Sequence, residues 1–120
     1  IWSIYPVDNT MFMFKSIPVT TNLRYMIGAF YGIKNTRDIL LVDDAVEDRE
    51  RTILRFLRDG KVIRFNHVGM KTKYFAPGGM MSTDRQTKHK ISSEALVQKY
   101  PQFCRLKIRK NGYTDCQIKF

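Results

Sequence analysis

The chain has 120 residues, 43% of them hydrophobic, and its 21 lysines and arginines against 11 aspartates and glutamates give a net charge of +10. This length favours one domain with a modest core, and the apolar fraction argues against global disorder. No apolar run approaches the roughly 18 residues of a membrane span. Up to Phe65 there are 10 basic against 8 acidic residues (net +2), and from Asn66 there are 11 against 3 (net +8). A near-neutral platform followed by a basic extension is typical of proteins that dock on nucleic acid.

The first predicted element is a strand. Met11–Phe14 places four large apolar residues in a row, the pattern of a strand covered on both faces, although periodicity alone leaves a helix open. Pro18 ends this strand. The next apolar residues recur at helical spacing: Leu23, Met26, Ile27 and Phe30. They predict an amphipathic helix over residues 22–31, and Gly32 stands where a helix favours a left-handed residue at its end.

A second strand, a second helix and a third strand follow. The second strand is predicted over 38–42, and Asp44 begins the second helix as an acidic N-cap. The apolar stripe of that helix consists of Val46, Ile53, Leu54 and Leu57. Gly60 ends the helix, and 61–65 is the third strand. We therefore predict an α+β fold, a β-α-β-α-β ferredoxin-like module with both helices on one face of a small sheet.

The sequence divides into two regions. Residues 1–65 are predicted to form this module with a short N-terminal arm, and 66–120 a basic extension. Glycine, proline, lysine and aromatic residues alternate over 67–90, which indicates a loop. A solvated loop and a nucleic-acid contact are equally good interpretations of it. A short helix is predicted over 92–100, because serines precede its apolar residues and Pro101 ends it.

The extension ends in a hairpin predicted over 103–120. A two-residue turn would pair Ile108 with Asp115 and mix apolar with polar groups, whereas a three-residue loop with Gly112 left-handed separates them. The pairs of that second register are Ile108 with Thr114, Leu106 with Cys116, and Cys104 with Ile118. Its opposite face carries Arg105, Lys107, Arg109, Tyr113, Asp115, Gln117 and Lys119. We favour this register, which offers a basic face to phosphate and places the two cysteines in different rungs, so that both thiols are expected to be reduced.

Several short motifs of the module resemble ribosomal protein thirty of the large subunit. They are Lys15-Ser16 after the first strand, Tyr31-Gly32-Ile33 at the end of the first helix, Asp44 at the start of the second helix, Arg49 five residues later, and the closing strand at Val62-Ile63. The resemblance covers about residues 11–65, roughly half of the chain. Mitochondrial relatives in that family carry an extra C-terminal segment, so the resemblance indicates a divergent mitochondrial version.

The resemblance implies a non-enzymatic structural constituent of the large ribosomal subunit, without a cofactor or a metal. Its partners would be ribosomal RNA and neighbouring ribosomal proteins, and its location the mitochondrial matrix in preference to a cytoplasmic ribosome. The start at Ile1 instead of Met fits a cleaved targeting peptide or a truncated or disordered start. The predicted RNA-binding residues are Lys15, Ser16, Arg24, Lys34, Arg37, Lys71, Lys73, Arg85, Lys88, Lys90, Arg105, Lys107 and Arg109. Phosphate contacts of this kind position an RNA without reading its sequence.

Three other functions are rivals of this one. An RNA-binding module outside the ribosome would expose aromatic residues in the middle of adjacent strands. An accessory subunit of a mitochondrial membrane complex would turn its basic extension towards anionic lipid. A small phosphate-ester or acylphosphate hydrolase would need glycine and arginine in the loop after the first strand, and 16–20 has neither. The two cysteines lack zinc-site spacing, and His67 and His89 lack a catalytic partner, so no small-molecule substrate is expected.

Overall fold

A computed structural model describes residues 1–72 and 84–120, which fold into a mixed sheet, three helices and a hairpin. The elements are β1 (Trp2–Ile4), α1 (Thr10–Met13), β2 (Val19–Thr20), β3 (Tyr31–Gly32), α2 (Glu47–Asp59), β4 (Ile63–Phe65), α3 (Arg85–Lys99), β5 (Cys104–Ile108) and β6 (Thr114–Ile118). The four-stranded sheet has the order β2-β4-β1-β3, and β5 and β6 form a two-stranded sheet. The predicted α+β class is confirmed.

The β-α-β-α-β order predicted for 11–65 is not observed, and the first difference lies at Met11–Phe14. These residues belong to α1 and the turn that follows it instead of a strand. The Asn9 side chain accepts a hydrogen bond from the Met11 amide at 3.1 Å and thereby caps a helical turn. Met13 alone of the four is buried, so the apolar run does not mark a strand covered on both faces.

The helix predicted over 22–31 is wrong, because residues 22–30 form bends, irregular chain and a turn, and Tyr31 begins β3. Tertiary partners take backbone groups that would otherwise close helical turns. The Met26 amide donates to Thr52 Oγ1 at 3.2 Å, and the Ser3 hydroxyl donates to the Phe30 carbonyl oxygen at 2.9 Å. Three of the four apolar residues of the predicted stripe are buried all the same. The pattern therefore identified core residues but not their backbone conformation.

The strand predicted over 38–42 is also wrong. This segment has no regular secondary structure, and Leu40 and Val42 are each 80% exposed. The amides of Val42 and Asp43 donate to the Glu50 carboxylate at 3.0 and 3.2 Å. The segment is therefore bound to the first turns of α2 and not to a neighbouring strand.

The predicted N-terminal arm supplies a central strand of the sheet. β1 pairs in parallel with β4, so that Trp2 lies beside Ile63 and Ile4 lies beside Phe65. It pairs antiparallel with β3 on its other side, while β2 pairs antiparallel with β4. β4 lies within the third strand predicted over 61–65, and that prediction is confirmed.

α2 confirms the second predicted helix, but Asp44 does not cap it. Asp43 Oδ1 accepts hydrogen bonds from the Ala45 and Val46 amides at 2.7 and 3.2 Å, because the helix begins at Glu47, later than predicted. The end of the helix is as predicted. Gly60 has a φ of 71°, the left-handed conformation that closes many helices and that glycine adopts without steric cost.

α3 and the hairpin form the end of the chain. α3 begins at Arg85 instead of 92, since no glycine or proline interrupts 84–99. Part of the predicted loop 67–90 is therefore helical. The three-residue register of the hairpin is confirmed in every predicted pair, with Gly112 at a φ of 79°. Its base packs into a core made of Leu23, Val46, Ile53, Leu96, Cys104, Cys116 and Ile118, and both cysteines are free thiols.

Candidate nucleic-acid interface

The predicted contact residues of the first half do not share one edge of the sheet. Lys15 follows α1, with its ammonium nitrogen 5.5 Å from the centre of an aromatic ring of that helix. Ser16 is half-buried, and its carbonyl oxygen lies 2.8 Å from His67 Nε2. Lys34 and Arg37 are exposed in irregular chain after β3. The strand–helix junctions predicted for these residues do not exist, because the first predicted strand and helix do not form.

The basic residues of the extension lie on two elements that pack against each other, α3 and β5. Lys71 is exposed ahead of them, and Lys73 lies outside the described residues. The set that we call the basic surface consists of Arg85, Lys88 and Lys90 on α3 and Arg105 and Lys107 on β5, all exposed. A groove of about 190 Å³ separates the first turns of α3 from the hairpin tip, and Gln86, Thr87, Lys90, Gly112, Tyr113 and Thr114 line it.

Asp115 is buried and removes Arg109 from the predicted basic face. The carboxylate accepts hydrogen bonds from His89 Nε2 at 2.9 Å and from Arg109 Nε at 3.0 Å, and it pairs with Arg49 Nη2 at 3.0 Å. Burial alone would raise the pKa of Asp115, but the His89 hydrogen bond and the two arginines outweigh it and hold the pKa well below its usual range. Of the three predicted RNA-binding residues on this hairpin face, Arg105 and Lys107 are the two that do not pair with Asp115.

Arg49 is a structural residue that pairs with two largely buried carboxylates. Its Nε donates to the Cys116 carbonyl oxygen at 2.9 Å, and its Nη1 pairs with Asp48 at 2.9 Å. The Tyr25 hydroxyl donates to the same Asp48. Burial, and next the charge of Asp48, raise the pKa of Tyr25. These contacts tie the start of α2 to β6 and leave Arg49 unavailable to RNA.

Arg24 and Arg64 lie close enough for their positive charges to interact. The Arg64 side chain is buried; its Nε donates to Asn66 Oδ1 at 2.7 Å, and its guanidinium lies 4.8 Å from the Tyr5 ring centre. Arg24 lies 4.2 Å from the Phe120 ring centre. Burial and then the charge of Arg24 lower the pKa of Arg64 to about 10. Across 1–72 and 84–120, neither guanidinium has a carboxylate within ion-pair distance.

The lysines in the described part of the chain form no ion pairs with carboxylates. Every ion pair found between described residues has an arginine or a histidine as its cation. Asp38 and Asp59 pair with Arg58, and Asp115 and Asp48 are neutralised inside the fold. The excess positive charge is therefore carried on the surface mainly by lysines that are open to an external anion.

Sequence reasoning missed an exposed apolar face on the four-stranded sheet. We call it the aromatic sheet face and define it by Trp2, Val19, Phe30, Ile63 and Phe65. The ring centres of Trp2 and Phe65 lie 6.2 Å apart, and those of Trp2 and Phe30 lie 6.0 Å apart. The alternation Ile63-Arg64-Phe65 was a usable signal, but the matching Trp2-Ser3-Ile4 was assigned to an irregular arm.

Comparison with known proteins adds no relative: no family model matches the chain, no curated protein is significantly similar to it, and no solved structure matches it. No helix within 1–72 or 84–120 has the length and apolar character needed to cross a bilayer. In the same ranges, no three histidine, cysteine, aspartate or glutamate side chains are grouped so that they could hold a metal ion.

Proposed function

We propose that this protein binds RNA without catalysing a reaction, as a structural constituent of a ribonucleoprotein particle, and that the particle is the large ribosomal subunit of mitochondria. One observation carries the proposal: the lysines of the described chain have no carboxylate partners there, in a protein with a net charge of +10. Such charges bind phosphate by releasing counterions. The resemblance to ribosomal protein thirty lends only limited support, because the strand and helix order that it implies is not found.

The mechanism is charge neutralisation combined with a rigid shape. The Asp115 network fixes α3 against the hairpin, so that the basic surface is presented by two elements in one arrangement. Lys71, Lys15, Lys34 and Arg37 add exposed charges elsewhere. Contacts of this type hold an RNA in place but carry no base specificity. They suit a protein whose RNA partner is already selected by the particle.

A second candidate, an RNA-binding module outside the ribosome, is favoured by a specific observation. That function requires exposed aromatic residues in the middle of adjacent strands. Trp2, the first residue of β1, and Phe65, the last residue of β4, are exposed aromatic side chains on paired strands, so they meet the requirement for exposure but lie at strand ends. Both candidates are RNA-binding proteins, and they differ in the particle with which the protein is associated.

Density-gradient sedimentation of a mitochondrial extract that contains the tagged full-length protein tests the proposal. We expect comigration with the large ribosomal particle and release into the light fractions after ribonuclease treatment. Sedimentation with smaller RNA-containing complexes would support the module outside the ribosome. Flotation with membranes, unaffected by ribonuclease, would contradict both candidates.

A further inference from the structure

We infer that the aromatic sheet face binds single-stranded RNA by stacking unpaired bases on Trp2 and Phe65. The inference rests on the proposed function and adds to it a site and a substrate class. The strand register places the two rings on one face, since Trp2 pairs with Ile63 and Phe65 pairs with Ile4, two residues further along each strand. Val19 of β2 is the partner of Phe65 in the antiparallel pair, so the face extends across a third strand.

The rings of this face remain accessible. Trp2 is 40% exposed, Phe65 38% and Phe30 49%, and Val19 and Ile63 are exposed as well. Large aromatic side chains that remain this exposed as a contiguous group mark a binding surface more often than single exposed apolar residues do. The rings meet edge to face, with interplanar angles of 73° for Trp2–Phe65 and 63° for Trp2–Phe30. An edge-to-face pair covers one ring face with the edge of the other ring, so the exposed surface of these rings is what remains for a flat ligand.

Gly32 of β3 fixes the position of the indole. It pairs with Trp2, and a Cβ atom at position 32 would lie 2.2 Å from Trp2 Nε1. The indole therefore lies against bare backbone, which supports one side of the ring and holds it in place. A ring that is already immobilised loses little conformational freedom when a base stacks on it.

Charge identifies the occupant as a nucleic acid instead of an apolar protein surface. Lys61 precedes β4 by two residues, and Lys34 follows β3 by two residues, so each of these lysines adjoins the end of a strand of this sheet. Both are exposed, and neither has a carboxylate partner among the described residues. Aromatic rings beside cations are the combination that binds the bases and phosphates of a single strand. A duplex would keep its bases stacked inside and out of reach.

The single tryptophan of the chain makes the inference directly measurable. The full-length protein is titrated with single-stranded oligoadenylate and, separately, with an RNA duplex of the same length, at low salt. We expect the single strand to quench the Trp2 emission in a saturable manner and the duplex to leave it unchanged. This measurement uses the unaltered protein, so it does not depend on the folding of a variant.

Variants then locate the contact. Phe65→Ala and Trp2→Ala should weaken binding of the single strand by about 5- to 150-fold each, the range for loss of one stacked base. Phe14→Ala is the matched control, because Phe14 is an exposed phenylalanine outside the aromatic sheet face, and its loss should leave the affinity unchanged. Circular dichroism of each variant confirms that the fold is retained.

The outcomes separate this inference from the proposed function. Binding of oligoadenylate without quenching, and with no effect of Phe65→Ala, would overturn the inference and leave phosphate binding by the basic surface intact. Failure to bind either RNA at low salt would refute the proposed function together with the inference. A dimer that dissociates on Phe65→Ala, with unchanged RNA affinity, would show that the face joins two copies of the chain and that the inference is wrong.

Discussion

Asp115 joins three elements through one carboxylate, since its partners Arg49, His89 and Arg109 lie on α2, on α3 and immediately after β5. Two of these partners, Arg49 and His89, are themselves largely buried. An arginine that loses its carboxylate inside a protein keeps a charge that water can no longer solvate. The stability of this region therefore depends on the charge of Asp115 more than on its size.

Replacing Asp115 by Asn tests this dependence. Asn has nearly the same shape but no charge, so the buried Arg49 would keep only Asp48 as an anionic partner, and His89 would lose its carboxylate. We expect the free energy of unfolding to fall by about 3–5 kcal/mol, the typical cost of removing one partner of a buried pair. Urea denaturation measures it. Asp38→Asn is the control: it breaks the exposed pair with Arg58, and the denaturation midpoint should scarcely move.

The same carboxylate predicts a loss of stability in acid. Its pKa is lowered in the folded state, so the stabilisation is fully present above the unfolded pKa of about 3.9 and disappears as the pH falls through the folded value. The free energy of unfolding should therefore decrease below about pH 4 in the native protein. Denaturation at a series of pH values measures the slope. An equal slope in Asp115→Asn would assign the acid sensitivity to other carboxylates.

At the scale of elements, Ile53 is the residue by which α2 takes part in the hydrophobic core. The side chain is completely buried among residues of α3 and the hairpin, whereas Leu57 of the same predicted stripe is half-exposed. Ile53→Ala should lower the free energy of unfolding by about 2–5 kcal/mol, because it leaves a cavity. Leu57→Ala should cost much less. Similar losses for the two variants in chemical denaturation would contradict a core centred on Ile53.

The hairpin turn depends on Gly112, whose φ is 79°. A Cβ atom at this φ is unfavourable by about 1–2 kcal/mol, so Gly112→Ala should destabilise the protein by that amount. Gly112→Asn should cost less, since asparagine tolerates the left-handed region better than alanine does. Thermal unfolding compares the variants. The space around position 112 is open, so a steric clash does not contribute to either loss of stability. Equal losses in the two variants would therefore contradict the explanation from the left-handed backbone.

The elements that the sequence predicted correctly are those with local signals. The end of α2 at Gly60, the strand at 61–65 and the hairpin register follow from a left-handed glycine, a short alternation and the segregation of apolar from basic residues. The predictions over 11–42 failed because distant residues determine that backbone: Thr52 binds the Met26 amide, and Glu50 binds the amides of Val42 and Asp43. No periodicity within a window of the sequence reveals such partners.

The candidate site was also predictable only where the signal is local. Exposed lysines were identified because lysine is rarely buried, so its presence in the sequence is enough to predict exposure. Arg109 was wrongly left available to RNA, because the sequence does not show that Asp115 is buried and binds it. That burial depends on which helices pack against the hairpin. The aromatic sheet face escaped prediction because its strands are three residues long or shorter and come from opposite ends of the module.

At the scale of the whole molecule, the basic surface predicts a salt dependence. Replacing Lys88, Lys90, Arg105 and Lys107 by Gln should weaken binding to structured RNA, and should lower the slope of log affinity against log salt by about 0.7–0.9 for each phosphate that is no longer neutralised. Filter binding over a range of salt concentrations measures the slope. Lys119→Gln is the control, because its ammonium already donates to the Pro101 carbonyl oxygen. An unchanged slope in the quadruple variant would place the RNA on another surface.

The sheet order has a consequence for how the chain reaches its fold. β1 lies between β3 and β4, and its parallel neighbour β4 is separated from it by most of the first half of the sequence. A ribosome that synthesises this chain delivers Trp2–Ile4 early and Ile63–Phe65 much later, and closing so long a loop is entropically expensive. Until then the first strand has no parallel partner, and pairings of such large sequence separation slow folding. The sheet that carries the aromatic rings is therefore assembled only after α2 has been made, so the nascent chain cannot present that surface before Phe65 has left the exit tunnel.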